Sequence, residues 1–360
     1  MPAPGPDLLR RFAAPLALAL LLGGCQGLEM TVLDPAGDVA LQQRNLIIFS
    51  TVLMLLIVLP VMVAALVFAW RYRASNESAT YEPDWDHSTQ LELLIWSAPL
   101  LIIICLGAAT WSSSHLLDPY RPLNRISKGV AVPAGVRPLD VQVVSLDWKW
   151  LFVYPEQGIA TVNELVLPVN RPVRFRLTSS SVMNTFYAPT MAGMIYSMPS
   201  METKLHAVLN KPLNSWGMSA NYSGAGFSHM RFRLFARDQQ GFDAWVARVK
   251  AGGGRFDRAT YIKLEKPSEK VPTMRFATAD PKVFDLVVNQ CVHPGTRCMS
   301  DMMKMDRHDP ASMHQMPGGG APGRRETRPL TSGDAGQKEG TNPTDVQQRS
   351  GLTNADNSTL

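Results

Sequence analysis

The sequence predicts a membrane protein: a two-helix transmembrane hairpin, then an all-β sandwich domain, then a small helical C-terminal appendage. Two uncharged runs, 46–70 and 93–111, each have about the 20 residues that a helix needs to cross a bilayer. From Leu139 the apolar residues alternate with polar ones, which indicates half-buried strands. Membrane segments are therefore expected before Trp111 and a β-rich domain after it.

The first 25 residues are typical of a secreted lipoprotein. Arg10 and Arg11 precede the short apolar run 13–22, so 1–24 is predicted to be a signal peptide. Leu-Gly-Gly-Cys resembles the bacterial lipobox, and Cys25 is the predicted site of lipidation. A plain signal with a chance cysteine is the alternative. The formal charge of +5 is spread along the 360 residues without a basic stripe, which argues against nucleic-acid binding.

The charges beside the apolar runs predict the orientation of the chain. Arg71 and Arg73 directly follow the first run and place the connecting loop in the cytoplasm. The predicted order is a periplasmic segment (25–44), a first span (45–70), a cytoplasmic loop (71–91), a second span (92–112) and a linker (113–137). The protein is thus expected in a bacterial inner membrane, with its N-terminus and main domain in the periplasm.

The β-rich region is predicted at 138–250. Short strand patterns recur at 140–144, 162–169, 173–177, 201–208 and 230–235, a spacing typical of a sandwich or barrel. An apolar stripe predicts a helix at 238–250, and Asp280-Pro281 has the form of a helix start. A mostly helical appendage is expected at 251–305, and the polar tail 306–360 is expected to be disordered.

Three motifs in a fixed order carry a family resemblance. They are Glu92-Leu-Leu-Ile-Trp-Ser-Ala-Pro99, Asp147-Trp-Lys-Trp-Leu-Phe152 and Ser181-Val-Met-Asn-Thr-Phe186. With two spans before an outer β domain, the chain resembles subunit II of the haem-copper respiratory oxidases from about residue 25 to 305. The resemblance implies that the sandwich is cupredoxin-like.

In the cytochrome c oxidase branch of that family, this domain holds a dinuclear copper centre. Its ligands are a histidine on an earlier strand and a loop of the form Cys-x-Glu-x-Cys-x3-His-x2-Met. The resemblance places them, in this chain, on six ligand positions: Asn184, Ser219, Asn221, Ser223, Phe227 and Met230. Only the last offers a soft ligand for copper. His229 lies two residues late and is expected on a strand, where it cannot replace the missing histidine. No metal is predicted to bind here.

The ligand-free loop, the lipobox and the extra C-terminal segment together resemble the bo-type quinol oxidase branch. That resemblance implies a proton-pumping ubiquinol oxidase in which this chain carries no redox centre. Haems, copper and ubiquinol are then expected on subunit I, and the implied partners are subunit I, smaller subunits and membrane lipid. Two alternatives stay open: a cytochrome c oxidase subunit with an atypical copper site, and a stand-alone membrane lipoprotein with a copper-handling Met/His tail.

Three further sites are predicted. The family resemblance implies that Glu92 lies at the entrance of a proton pathway into subunit I; an ordinary helix-start glutamate is the alternative. Cys291 and Cys298 are predicted to lie outside the membrane, where oxidation can occur. A disulfide that closes their short loop would contribute about 2–3 kcal/mol to the stability of the fold. Trp148 and Trp150 are expected in core packing or in contact with subunit I.

Overall fold

The computed structural model describes residues 31–80 and 82–308, without the side chains of 306–308. Its N-terminal part contains two long helices. They are α1 Asp38–Arg71 and α2 Thr89–Leu116, and both are long and apolar enough to cross a membrane. They contact each other, and most of their apolar side chains are exposed in the isolated chain. Helices that are apolar all round need a lipid or protein environment, so the predicted transmembrane hairpin is confirmed.

Both helices run beyond the predicted spans. α1 begins at Asp38 rather than at residue 45, because Asp38, Val39 and Ala40 are buried against the sandwich. α2 begins at Thr89 rather than at residue 92 and continues to Leu116. On the domain side the extra turns extend both helices beyond the apolar runs, and the first turn of α1 packs against the β domain.

Fifteen strands follow within the described residues: β1 Arg125–Ser127, β2 Val130–Ala131, β3 Leu139–Leu146, β4 Lys149–Tyr154, β5 Ile159–Val162, β6 Glu164–Pro168, β7 Val173–Ser179, β8 Asn184–Tyr187, β9 Ile195–Ser197, β10 Thr203–Ala207, β11 Leu213–Ser219, β12 Arg231–Arg237, β13 Arg255–Phe256, β14 Met274–Phe276 and β15 Thr278–Ala279. A six-stranded sheet has the order β10-β7-β3-β4-β5-β14, and a five-stranded sheet has the order β6-β12-β11-β8-β9. β3 pairs with β7, and β6 with β12, in parallel. The two sheets form the predicted cupredoxin-like sandwich.

An aromatic core joins the two sheets. Phe186 and Phe232 stack with ring centroids 5.2 Å apart, and Trp150 meets both rings edge-on at 5.5 and 5.8 Å. Gly217 faces Phe232 across β11 and β12, and an added Cβ there would overlap the Phe232 ring. Such close packing fixes the strands that flank the loop with the ligand positions.

One helix links the sandwich to the appendage, and the appendage itself contains helices and strands. α3 Gln239–Ala251 follows Asp238, whose carboxylate caps it by accepting from the Gly241 N–H at 2.8 Å. The remaining helices are α4 Arg258–Glu265, α5 Lys282–Val288 and α6 Met299–His308. The prediction of a mostly helical appendage is incomplete, because β14 pairs with β5 and extends the six-stranded sheet. A three-residue strand is too short to produce a periodic pattern.

Helical residues cover the outer face of the six-stranded sheet. Tyr261, Val283 and Phe284 pack with Leu151 and Val153 in a second apolar cluster. Every residue of β4 is consequently buried, and all but one residue of β3 is buried as well. The half-buried pattern predicted for 140–144 is therefore wrong, because a second layer covers the face that was expected to meet solvent.

Two predicted segments fall outside the described residues. These are the signal peptide 1–24 with Cys25, and the tail from residue 309 onward. The tail was predicted to begin at residue 306, but α6 continues to His308.

Gly37 joins α1 to the sandwich. Its N–H and that of Ala36 donate to the Thr190 carbonyl at 3.0 and 2.8 Å, and Gly37 forms a β-bridge with Leu209. An added Cβ at Gly37 would lie 2.5 Å from the Val208 carbonyl oxygen.

We expect Gly37→Ala to displace the segment before α1, because backbone oxygens cannot move aside as a side chain does. Loss of two backbone hydrogen bonds should destabilise the docked segment by about 1–3 kcal/mol. Hydrogen exchange of residues 31–37 in the purified oxidase measures this. Gly252→Ala is the control, since its Cβ would meet neighbours at 3.4 Å or more. Equal exchange in both variants would show that the contact is not rigid.

Candidate functional site

The structure brings three of the six ligand positions together from separate parts of the chain. Asn184 begins β8, Ser219 ends β11, and Met230 directly precedes β12. The Ser219 hydroxyl donates to the Asn184 side-chain oxygen at 3.1 Å, and the Ser219 N–H donates to the Met230 carbonyl at 3.0 Å. All three residues are buried. These three residues therefore form one cluster at the end of the five-stranded sheet.

Hydrogen bonds hold the loop between Ser219 and Met230. The Ser219 hydroxyl also reaches the Asn221 carbonyl at 3.3 Å, and the Asn221 amide donates to the Met183 carbonyl at 3.2 Å. The Ser223 hydroxyl is buried and has no hydrogen-bond partner among the described residues. The loop thus has a defined fold that amide and hydroxyl groups maintain.

The donor set at these positions does not fit a copper pair. A dinuclear copper centre needs bridging thiolates and imidazoles, and this site offers two serine hydroxyls, two amides, a phenyl ring and one thioether. Met230 supplies the thioether and is buried. Hydroxyl and amide oxygens are hard donors that bind soft copper poorly. We derive no electron-transfer step through this site.

His229 does not lie on a strand, contrary to the prediction. It ends the 3-10 turn Phe227–His229, and its side chain is exposed. The turn forms because the His229 N–H donates to the Gly226 carbonyl at 3.0 Å. With His229 at the surface and Met230 buried, the two side chains do not converge on one metal position.

Trp148 fixes the loop from the opposite side, a role that the sequence did not reveal. Its indole N–H donates to the Ser223 carbonyl at 2.9 Å, and an added Cβ at Gly226 would lie 2.5 Å from its ring. Trp148 has a φ of 63°, a left-handed conformation that is rare for a bulky residue. Such strain persists only where surrounding contacts hold it. The nearby glycines Gly224 and Gly226 are the sequence signal that could have indicated a close ring.

Trp150, by contrast, is a fully buried core residue. Its neighbour Lys149 is also buried and donates to the carbonyls of Asp147 and Lys266 at 2.9 Å and to the Ser268 hydroxyl at 2.8 Å. Burial lowers the pKa of the Lys149 ammonium, partly offset by the charge of Asp147. Through Lys149, β4 therefore anchors the appendage to the sandwich.

Glu92 lies far from the six ligand positions. It is in the first turn of α2 and is exposed. From Glu92 to Leu116 the helix rises about 36 Å at 1.5 Å per residue. Glu92 is therefore at the opposite end of α2 from the sandwich, where its carboxylate meets no ion-pair partner among the described residues.

Cys291 and Cys298 are joined by a disulfide, with Cα atoms 4.7 Å apart. The bond closes the segment between α5 and α6, and the Met299 N–H then donates to the Asn289 carbonyl at 2.9 Å. The disulfide therefore fixes the start of α6.

Known proteins similar to this chain agree on one family. The family model for the COX Aromatic Rich Motif matches residues 250–295, within the appendage. Cytochrome bo(3) ubiquinol oxidase subunit 2 of Pseudomonas putida is 52% identical over 271 residues, which cover 75% of this chain and 82% of that protein. Ubiquinol oxidase subunit 2 of Acetobacter aceti is 49% identical over 273 residues, 76% of this chain and 85% of that one.

A solved structure matches the sandwich more distantly. The periplasmic domain of subunit II of cytochrome oxidase from Bradyrhizobium japonicum is 21% identical, covers 32% of this chain and 94% of its own, and has a TM-score of 0.31. The fold assignment rests on the sheet topology and not on this match. By its identity to the Pseudomonas and Acetobacter proteins over most of their length, the chain belongs to the subunit 2 family of the bo(3)-type ubiquinol oxidases.

Proposed function

We propose that this chain is the subunit of a proton-pumping ubiquinol oxidase that carries no redox centre of its own. The donor set of the six ligand positions supports this proposal, since serine and asparagine stand where a copper pair needs sulfur and imidazole. A relay for electrons from a water-soluble donor is unnecessary when ubiquinol delivers electrons within the membrane. Ubiquinol, the haems and copper would then bind to subunit I, and this chain would support assembly and shape the outer face.

The choice of electron donor tests this proposal. We expect the oxidase, purified in mild detergent, to contain this chain together with a haem-bearing large subunit. Ubiquinol should support oxygen consumption, whereas reduced cytochrome c should not. Rapid oxygen consumption with cytochrome c would favour the alternative of a cytochrome c oxidase. Elution of this chain without any haem protein would favour a stand-alone lipoprotein.

The proposed location is the bacterial inner membrane, with Cys25 lipidated and the sandwich in the periplasm. The two apolar helices and the paired arginines Arg71 and Arg73 support this orientation. Mass spectrometry of the mature N-terminus tests the lipid: a diacylglycerol-modified Cys25 is expected, and an unmodified residue would contradict it.

Glu92 is proposed as a proton-collecting group at the cytoplasmic mouth of α2. Its exposed carboxylate in the first helical turn lies where water can deliver protons without deep burial. We expect Glu92→Gln to slow ubiquinol turnover by about tenfold, which corresponds to about 1.4 kcal/mol of added barrier. The amount of assembled haem should stay unchanged.

Glu82→Gln is the matched control, because Glu82 is an exposed glutamate in the loop that precedes α2. It should leave turnover at the wild-type rate. Normal turnover in Glu92→Gln would reject the proton role and leave a helix-start glutamate that interacts with the helix dipole.

A further inference from the structure

A cavity of about 200 Å³ lies where both transmembrane helices meet the sandwich. It is lined by the first turns of α1, the segment after α2 and the end of β10. The polar side chains in its wall that matter here are Gln42, Asp118, Arg121, Arg125 and His206. This cavity is separate from the six ligand positions and from Glu92.

The cavity lies at the depth of lipid headgroups. In α1 the apolar run starts at Leu46, so the lining residues 38–43 stand about 5–12 Å beyond it at 1.5 Å per residue. In α2 the apolar run ends at Trp111, and Leu116 stands about 8 Å beyond it. The headgroup layer on each side of a bilayer is about 5–8 Å thick. The cavity therefore opens into or directly above this layer.

One charged pair in the wall is already neutralised, and Asp38 Oδ1 has no hydrogen-bond partner among the described residues. Asp38 is buried, and the same carboxylate oxygen accepts from Arg125 Nε and from Gln42 Nε2, each at 2.8 Å. This ion pair links α1 to β1 and leaves little net charge on that side of the cavity. A charged ligand would have to be recognised by other groups.

The opposite wall carries one cation and one carboxylate that do not pair with each other. Asp118 and Arg121 belong to one turn, since the Arg121 N–H donates to the Asp118 carbonyl at 3.1 Å. Among the described residues neither side chain forms an ion pair, and the Arg121 guanidinium contacts only the His115 carbonyl at 3.4 Å. Both residues are exposed. The wall thus presents a positive and a negative group that lie three residues apart in the chain.

His206 adds a polar group to the floor of the cavity. It is buried, and its Nδ1 lies 3.0 Å from the Pro119 carbonyl, so Nδ1 carries the proton. Nε2 of the same ring is then free to accept a hydrogen bond from a ligand.

We propose that this cavity binds the headgroup of an aminophospholipid, with the phosphate at Arg121 and the primary ammonium at Asp118. A guanidinium matches the geometry of a phosphate, and a carboxylate attracts the ammonium that follows it in the headgroup. A phospholipid without an amine would bring its phosphate to Arg121 but leave Asp118 uncompensated. The acyl chains would run along exposed apolar side chains of α1 such as Ile47 and Ile48. The lipid would thereby join the helices to the sandwich.

Lipid retained by the purified oxidase tests the proposal. The complex is placed in nanodiscs that contain ethanolamine and glycerol phospholipids in equal amounts, is washed with detergent, and its lipids are counted by mass spectrometry. We expect the wild-type complex to retain one more ethanolamine lipid than Arg121→Gln, whose occupancy should fall by about tenfold. Arg137→Gln is the control, because Arg137 is exposed and outside the cavity, and it should retain lipid as the wild type does. Asp118→Asn should abolish the preference for ethanolamine over glycerol phospholipid.

Other outcomes would overturn the proposal. Equal retention in the wild type and Arg121→Gln would show that no lipid depends on this cavity. Binding of inorganic phosphate by lipid-free complex, with no lipid retained, would identify a free-phosphate site. Protection of Arg121 from chemical modification in lipid-free complex would show that a partner subunit fills the cavity.

Discussion

Five substitutions are expected to turn this chain into a copper protein. They restore the family's ligands while Met230 stays unchanged: Asn184→His, Ser219→Cys, Asn221→Glu, Ser223→Cys and Phe227→His. The purified variant should bind a copper pair and gain near-infrared absorption. The wild-type chain should show neither.

The reason lies in the geometry that the loop retains. Ser219 and Asn184 are already in hydrogen-bond contact at 3.1 Å, and the buried Ser223 hydroxyl has no partner among the described residues. Thiolates at the two serine positions would therefore project into a preformed site, and soft sulfur ligands favour copper. Trp148 should keep the loop in place before the metal arrives, because its indole holds the Ser223 carbonyl.

A control isolates the bridging sulfurs. The same variant with Ser219→Ala and Ser223→Ala in place of the cysteines should fold equally well and bind no copper pair. Circular dichroism and metal analysis make the comparison. If the variant with all five substitutions folds but takes up no copper, the six ligand positions are out of register with those of the copper-containing branch.

The second large effect is expected at the contact between the sandwich and the appendage. Glu164 is 5% exposed, and Arg275 donates to both of its carboxylate oxygens at 2.6 and 2.7 Å. These hydrogen bonds raise the pKa of the Arg275 guanidinium. Arg275 lies on β14, so the pair joins the appendage strand to the start of β6.

We expect Arg275→Met to destabilise the docked appendage by about 3 kcal/mol, because it leaves a buried carboxylate without a counter-charge. Amide exchange in β14 and α5 should then accelerate by about 100-fold, since local opening controls exchange there. Hydrogen-exchange mass spectrometry of the purified oxidase measures this change.

The double variant Glu164→Gln with Arg275→Met provides the control. It removes the unpaired charge, so exchange should return part of the way to the wild-type rate. If Arg275→Met exchanges at the wild-type rate, other contacts hold the appendage by themselves. One such contact is the hydrogen bond from the Asn163 amide to the Val271 carbonyl at 2.9 Å.

Much of the fold could be predicted from local patterns. The uncharged runs locate both helices, since no charged residue interrupts them, and the alternation in β7 and β12 matches their burial. Features that depend on tertiary contacts could not be predicted. β14 exists because it pairs with β5, the first turn of α1 is stabilised by burial against the sandwich, and β3 and β4 are covered by a layer that their own sequence does not encode.

The candidate site divides in the same way. The family resemblance placed six ligand positions on this chain, and Asn184, Ser219 and Met230 meet because β8, β11 and β12 are neighbours in one sheet. The prediction that His229 lies on a strand was wrong, because a 3-10 turn directly precedes β12 and contains this residue. The contact of Trp148 with the loop spans 75 residues of sequence, and Gly224 and Gly226 are its sequence signal only once the ring is known to lie beside them.

The most direct test of the proposed function is a copper measurement on the wild-type protein. Near-infrared absorption is recorded on the purified oxidase, and copper is then counted on this chain after it has been separated from the complex. We predict no near-infrared band from a copper pair and no copper on the separated chain. A band in that region with about two copper ions on this chain would contradict the proposal, because serine and amide groups would then be holding a metal centre that requires sulfur and imidazole.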